Sequence, residues 1–360
     1  MTSGALRPLV EGGRKPVDVA AIEAELAALW RSAADPDAGG AVTRACLWNV
    51  VAHSQDGVEA DRLHEALARL SAALPSRVVL VRTDAGAPEE HIDAWIAANC
   101  HLGEGGRGHV CTEEIVVAAR GRTMSELPSL VRSLLAPDVP SVLLWPGPPS
   151  IAGRHLAEWL GVADRFVFDS AAFGPGPELG GLLAVVRSLA RPPALGDLNW
   201  RRLRPWRVMT ARAYDRPGLR EALQDADTLT VRAPAGGLPR AAALFAAWFA
   251  TRLGRPVSRG NFAGLRGGPV RVVPEDAPEI PGRPGRIVSI EFRAGQRSVE
   301  FAREGPDVVV RTSGPGMTVS PLREPTRGAD LVMLLASELD DYCGDPLLAA
   351  ALPAAATLVE

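Results

Sequence analysis

Short apolar runs and amphipathic stretches alternate along the first half of the chain. Residues 45–52 (Ala-Cys-Leu-Trp-Asn-Val-Val-Ala) and 77–82 have the length and composition of buried strands. Between them, residues 61–74 repeat apolar positions at helical spacing. The alternation continues with strands expected at 109–119, 141–145 and 165–169, and helices at 89–100, 125–135, 151–160 and 179–190. An earlier helix, 17–31, spaces Val19, Ile22, Leu26, Leu29 and Trp30 helically and stops at a breaker containing Asp35-Pro36 and Gly39-Gly40. Strand and helix periods in turn predict an α/β layer domain with a mostly parallel sheet.

From about residue 195 the pattern changes. Helices are expected at 206–214 and 219–224, a strand at 228–232, and a strongly apolar, internal helix at 239–253. Strand-like segments then follow at 269–273, 286–293, 298–302 and 307–312, divided by turns such as Ala294-Gly295-Gln296 and Glu304-Gly305-Pro306. They predict an antiparallel meander in an α+β domain, closed by a helix at 329–342 and an alanine-rich end. The expected organisation is a tail and helix over 1–40, an α/β domain over 41–194 and an α+β domain over 195–360. No repeat of 20 to 50 residues marks a solenoid.

Composition narrows the function. With 360 residues, 47% hydrophobic and 22% charged, the chain has the make-up of a two-domain globular protein, and no apolar run reaches membrane-spanning length. The first 16 residues lack the pattern of a secretory signal, so a cytoplasmic location is expected, with Cys46, Cys100, Cys111 and Cys343 as thiols. A net charge of −3 with dispersed arginines argues against a nucleic-acid partner. Lys15 is the only lysine, which removes a nucleotide-hydrolysing Gly-rich loop ending in lysine and a core Schiff-base lysine.

Candidate chemistry is sparse. Gly103-Glu-Gly105-Gly-Arg-Gly108 matches Gly-x-Gly-x-x-Gly, but it follows an expected helix and leads into a strand, the reverse of a dinucleotide fingerprint. Gly174-Pro-Gly176-Pro-Glu-Leu-Gly180-Gly181 does follow a strand and open a helix. With Asp169-Ser170 just before it, this is a candidate anion or ligand site, although Glu178 would repel phosphate. Cys100 and Cys111 are a candidate redox pair; with His101 and His109 they match no standard zinc spacing, and no metal or cofactor is expected. Glu113 and Glu114 should face opposite sides of a strand, and His53-Ser54 reads as a polar turn.

The densest chemistry lies in Asp197-Leu-Asn-Trp200-Arg-Arg-Leu-Arg-Pro-Trp206-Arg207. Trp200 and Trp206 pair apolar faces with one donor each, and Arg201, Arg202, Arg204 and Arg207 carry planar forks for carboxylate or phosphate. These residue types are those of interface hot spots, and the position is that of a domain junction; the segment is a candidate for either role.

Taken in order, Pro75-Ser-Arg77, Cys111-Thr-Glu113-Glu-Ile115, Leu134-Leu-Ala-Pro137-Asp138-Val-Pro140, Val142-Leu-Leu-Trp145, Ala163-Asp164-Arg165, Asp169-Ser170 and the Trp/Arg segment resemble the glucose-6-phosphate dehydrogenase assembly protein family, OpcA. The helix Leu334-Leu-Ala-Ser-Glu-Leu339 followed by Asp345 extends the resemblance toward the end. The resemblance implies a non-enzymatic partner that binds glucose-6-phosphate dehydrogenase, promotes its active oligomer and supports NADPH production. A divergent α/β enzyme or binding protein for a sugar phosphate, built on Asp169 and Ser170, is the alternative, and a redox sensor working through Cys100 and Cys111 is a third.

Overall fold

The computed structural model describes residues 7–8, 15–33, 42–55, 57–102, 109–121, 126–147, 154–174, 176–234, 240–278, 287–317, 320–326, 330–341 and 343–359. The glycine-rich turn 103–108 lies outside these residues. The chain forms two compact units, residues 1–167 with 188–194, and residues 168–187 with 195–360.

In the first unit, short strands β1 (Arg7–Pro8), β2 (Lys15–Val17) and β3 (Val42–Arg44) join the longer β4 (Trp48–Ser54), β5 (Ser76–Asp84), β6 (His91–Leu102), β7 (His109–Arg120), β8 (Ser141–Trp145) and β9 (Arg165–Phe168). Helices α1 (Ile22–Ala33), α2 (Gly57–Ala73), α3 (Leu127–Ser133) and α4 (Arg154–Leu160) accompany them. The sheet runs β6-β7-β5-β4-β8-β9, and β7, β5, β4 and β8 are mutually parallel. Val50, Val51 and Ala52 on β4, and Val78 through Val81 on β5, are all buried, which is why these strands read as continuous apolar runs. Asn49 clamps the turn before β8, donating to the carbonyls of Ala136 and Val139 and accepting from Ala136 N. That turn holds Asp138 at φ 58°.

Two expectations fail here: the helix at 89–100, and the free thiols inferred from a cytoplasmic location. Residues 89–100 are not a helix; β6 is a twelve-residue strand antiparallel to β7. Ile92, Trp95 and Ile96 imitate helical spacing, while Ala94, Ile96, Ala97 and Ala98 are all buried, so no polar alternation betrays the strand. The register puts Cys100 directly opposite Cys111, with Cα atoms 4.0 Å apart, and the two form a disulfide rather than free thiols. With residues 89–100 read as a helix, that opposition is invisible.

The second unit contains α5 (Glu178–Ser188), β10 (Ala194–Asp197), α6 (Leu198–Arg202), α7 (Arg204–Tyr214) and α8 (Pro217–Gln224). Then come β11 (Thr228–Ala233), α9 (Arg240–Arg252), β12 (Val257–Ser258), β13 (Asn261–Ala263), β14 (Pro269–Asp276), β15 (Ser289–Ala294), β16 (Arg297–Glu304), β17 (Asp307–Ser313), β18 (Arg323–Pro325), α10 (Leu331–Asp340) and α11 (Pro346–Val359). The sheet order is β12-β13-β14-β11-β15-β16-β17-β18; β11 and β14 are parallel, and β15 to β18 form the antiparallel meander. Helix α9 is buried from Arg240 through Ala250, as an all-round apolar helix must be. Phe249 meets Phe292 of β15 at 4.7 Å between ring centroids, and α11 packs along α9.

Candidate functional site

The Trp/Arg segment begins with a helix cap. Asp197 accepts from Asn199 N at 2.9 Å, the cap of α6, and also from Ser170 N at 3.0 Å and Ser170 Oγ at 2.7 Å. Asn199 Nδ2 in turn donates to Ser170 Oγ at 3.0 Å. All three residues are buried. Burial, and then the nearby Asp169 carboxylate, push the Asp197 carboxyl up to about 7 against the opposing pull of its three donors.

Trp200 and Trp206 are buried within the second unit. The Trp200 indole donates to Asp345 Oδ2 at 2.6 Å, and the Arg207 guanidinium lies 3.5 Å from the Trp200 ring centroid, with Nη2 donating to Trp200 O at 3.3 Å. Burial lowers the Arg207 pKa to about 10, which still leaves it charged at neutral pH. Arg201 spans Glu338 and Asp341 of the closing helical region at 2.7 and 2.5 Å. Arg202 grips Asp169 with two parallel bonds of 2.7 Å, the fork geometry of a strong pair. Arg204 alone of the four is exposed, at the start of α7. It borders a groove of about 610 Å³ that also takes in Pro205, Met333, Ser337 and Asp340.

The glycine-rich turn before α5 is used internally. Arg240 donates to the carbonyls of Gly174, at 2.8 Å, and Gly176. A Cβ on Gly174 would stand 3.4 Å from Glu178 Oε1, so a carboxylate already covers that approach to the helix. Asp169 and Ser170 are likewise engaged, with Arg202 and with Asp197. Glu338 and Asp341, which hold the segment, went unrecognised in the sequence; no local pattern links them to an arginine 137 and 140 positions earlier.

The first unit places a second cluster at the carboxyl end of its sheet. Strand β4 is where the order reverses, with β5 and β7 to one side and β8 and β9 to the other. In open α/β sheets that reversal point forms the ligand crevice. Here His53, the penultimate residue of β4, is not in a polar turn but buried, its ring 3.8 Å from that of Trp145 and 5.4 Å from that of Trp159 between centroids. Thr83 Oγ1 lies 3.1 Å from His53 Nε2, and burial drives the imidazole pKa down to about 3, so the ring is neutral. Glu113 and Glu114 face opposite sides as expected, toward Arg77 and His64 respectively. Among the described residues no group of three His, Cys, Asp or Glu side chains is arranged for a metal, and no helix is long and apolar enough to cross a membrane.

The fold and these sites define a two-unit α/β and α+β protein in which the reversal point of the first sheet is filled by aromatic rings and the Trp/Arg segment of the second is tied by ion pairs. Residues 68–182 match the family model described as glucose-6-phosphate dehydrogenase subunit N-terminal domain, and residues 193–352 match the corresponding C-terminal domain. The chain belongs to this family, OpcA. A protein of Synechocystis sp. named for the OxPP cycle, OpcA, is 26% identical over 185 residues, and its namesake in Nostoc punctiforme is 30% identical over 186. Each alignment takes in 51% of this chain but only 38% and 39% of the relatives, so the chain matches well under half of their length. Among solved structures, a 3-ketoreductase from Actinomadura kijaniata is 14% identical with a TM-score of 0.46, covering 87% of this chain and 95% of the other.

Proposed function

We propose that this protein is a non-enzymatic assembly factor of glucose-6-phosphate dehydrogenase, acting in the cytoplasm to favour the dehydrogenase's active oligomer and so to sustain NADPH formation in the oxidative pentose phosphate pathway. The observation that carries this reading is that two family models, both described as domains of a glucose-6-phosphate dehydrogenase subunit, cover residues 68–182 and 193–352. The OxPP cycle names of the relatives support the pathway. The buried His53, Trp145 and Trp159 at the reversal point of the first sheet support a binding role over hydride transfer, because a nicotinamide would need the space those rings fill.

A factor of this kind acts only by binding the active form of its partner more tightly than the inactive one; equal affinity for both would shift nothing. Of the Trp/Arg segment, Arg204 is the residue best placed to meet the dehydrogenase, being exposed at the mouth of the groove beside Met333. The test is to mix the purified chain with the dehydrogenase of the same organism and follow complex mass by light scattering together with substrate saturation. A heavier complex with a lowered KM or raised kcat is expected. Unchanged mass and kinetics at micromolar concentrations would overturn the reading.

A further inference from the structure

We propose that the first unit carries a binding site for a mononucleotide, in the cavity at the carboxyl ends of β4, β5 and β7. The cavity measures about 370 Å³ and is lined by Gly57, Arg82, Asp84, Trp95 and Arg120, among others. That volume lies at the low end of the roughly 300–1,000 Å³ range for small-molecule sites, the scale of one nucleotide rather than two.

The sheet register assembles the lining. Ser54 pairs with Arg82 and Arg82 with Ala118, while Asp84 pairs with Arg120, so these side chains project from one edge of three parallel strands. Cross-strand partners share a face, and Trp95, opposite Val116, lies on the face of Ala118 and Arg120. Trp95 is half-buried and borders the cavity, giving a base a ring to stack on. A Cβ on Gly57 would stand 3.6 Å from Arg82 Nη2, which puts that guanidinium over the first residue of α2. Phosphate oxygens would meet the Arg82 fork there, at the start of a 17-residue helix whose first-turn carboxylate, Glu59, is engaged by Ser54 Oγ at 2.7 Å. Asp84 ends the second parallel strand, where a carboxylate reaches ribose hydroxyls, and it accepts from Gly86 N at 3.1 Å.

Two features set the ligand's size. The chain leaves β4 through His53-Ser54-Gln55, with no glycine pair to let backbone approach a pyrophosphate. On the far side of β4, His53, Trp145 and Trp159 occupy the crevice that a second nucleoside would enter. Among the described residues the competing partner of Arg82 is weak: Asp61 stands 3.8 Å from Nη2, its side chain 79% exposed against 38% for Arg82. A phosphate displaces it at little cost.

The test uses the full chain alone, without the dehydrogenase, so its outcome is independent of the assembly reading. Titration calorimetry and thermal shift would compare AMP with adenosine, inorganic phosphate, glucose 6-phosphate and NADP+. At a hundredfold excess over Kd, AMP is expected to raise the Tm by about 5 °C. Adenosine, phosphate and glucose 6-phosphate should each bind at least about tenfold more weakly than AMP. Arg82→Gln and Trp95→Ala should each weaken AMP by about tenfold or more, while Asp61→Asn should tighten it by removing the competitor. The proposal falls if AMP gives no shift at millimolar concentration, if its binding survives both Arg82→Gln and Trp95→Ala, or if glucose 6-phosphate binds as tightly.

Discussion

The indole N–H of Trp200 is donated to the carboxylate of Asp345, 145 residues further along the chain and 2.6 Å away. The same carboxylate opens α11, accepting from Leu347 N at 2.8 Å and Leu348 N at 3.3 Å, and its pKa is held below the usual carboxylate range by these donors and Arg207 despite partial burial. One acidic side chain thus caps the closing helix and fixes the Trp/Arg segment beneath it.

Asp345→Ala is therefore expected to remove a helix cap and strand a buried indole donor together. The cap contributes about 1 kcal/mol and the unsatisfied donor about 1–3 kcal/mol, for a loss of roughly 2–4 kcal/mol in urea unfolding. Asp345→Asn, which keeps an acceptor, should lose less than half as much. Equal stability of Asp345→Ala and the parent chain would refute the dual role.

Arg204 and Arg207 stand three positions apart and predict opposite outcomes. Arg204→Glu, at an exposed site, should leave the Tm within about 2 °C of the parent, as surface substitutions do, and should weaken the complex with glucose-6-phosphate dehydrogenase at least about tenfold. Arg207→Glu places a carboxylate against the Trp200 ring and near Asp345, and should destabilise the second unit by about 3 kcal/mol or more. The checks are thermal unfolding and light scattering of the mixture. Undiminished binding by Arg204→Glu would take this face out of the interface.

What the sequence discloses and what it hides divide along sequence distance. The central strands of the first unit and the β15 to β17 meander were legible because buried apolar runs and glycine turns are local signals. Strand β6 was not, since small residues buried on both faces erase the period of two, and the Cys100–Cys111 bond went with it. Helix α11 shows in the sequence only as an alanine-rich end; with Pro353 inside it, the helix is stabilised by packing its apolar side along α9. Tryptophan and arginine marked the 197–207 segment as unusual, but their partners Glu338, Asp341 and Asp345 lie beyond any local pattern. Position alone likewise could not reveal that His53 is buried between rings brought from β8 and α4.

His53 and Asp197 should give the two units opposite responses to pH. In the first unit the folded His53 titrates near 3 against an ordinary value of 6.5, so the unfolded chain takes up the proton first as pH falls. Stability of that unit is full above about pH 6.5 and declines toward pH 3, by at most about 1.4 kcal/mol per pH unit from this residue. In the second unit the folded Asp197 titrates near 7 against 3.8, so the folded chain retains a proton that the unfolded chain has lost. Its contribution is greatest below about pH 4 and declines as pH rises to about 7. Amide hydrogen exchange, read at β4 for one unit and at α6 for the other and corrected for intrinsic rates, separates the two. His53→Gln should flatten the acid decline at β4 alone, and Asp197→Asn the neutral decline at α6 alone. If both elements instead lost protection in the same direction across pH 4 to 7, the electrostatic assignments of His53 and Asp197 would be wrong.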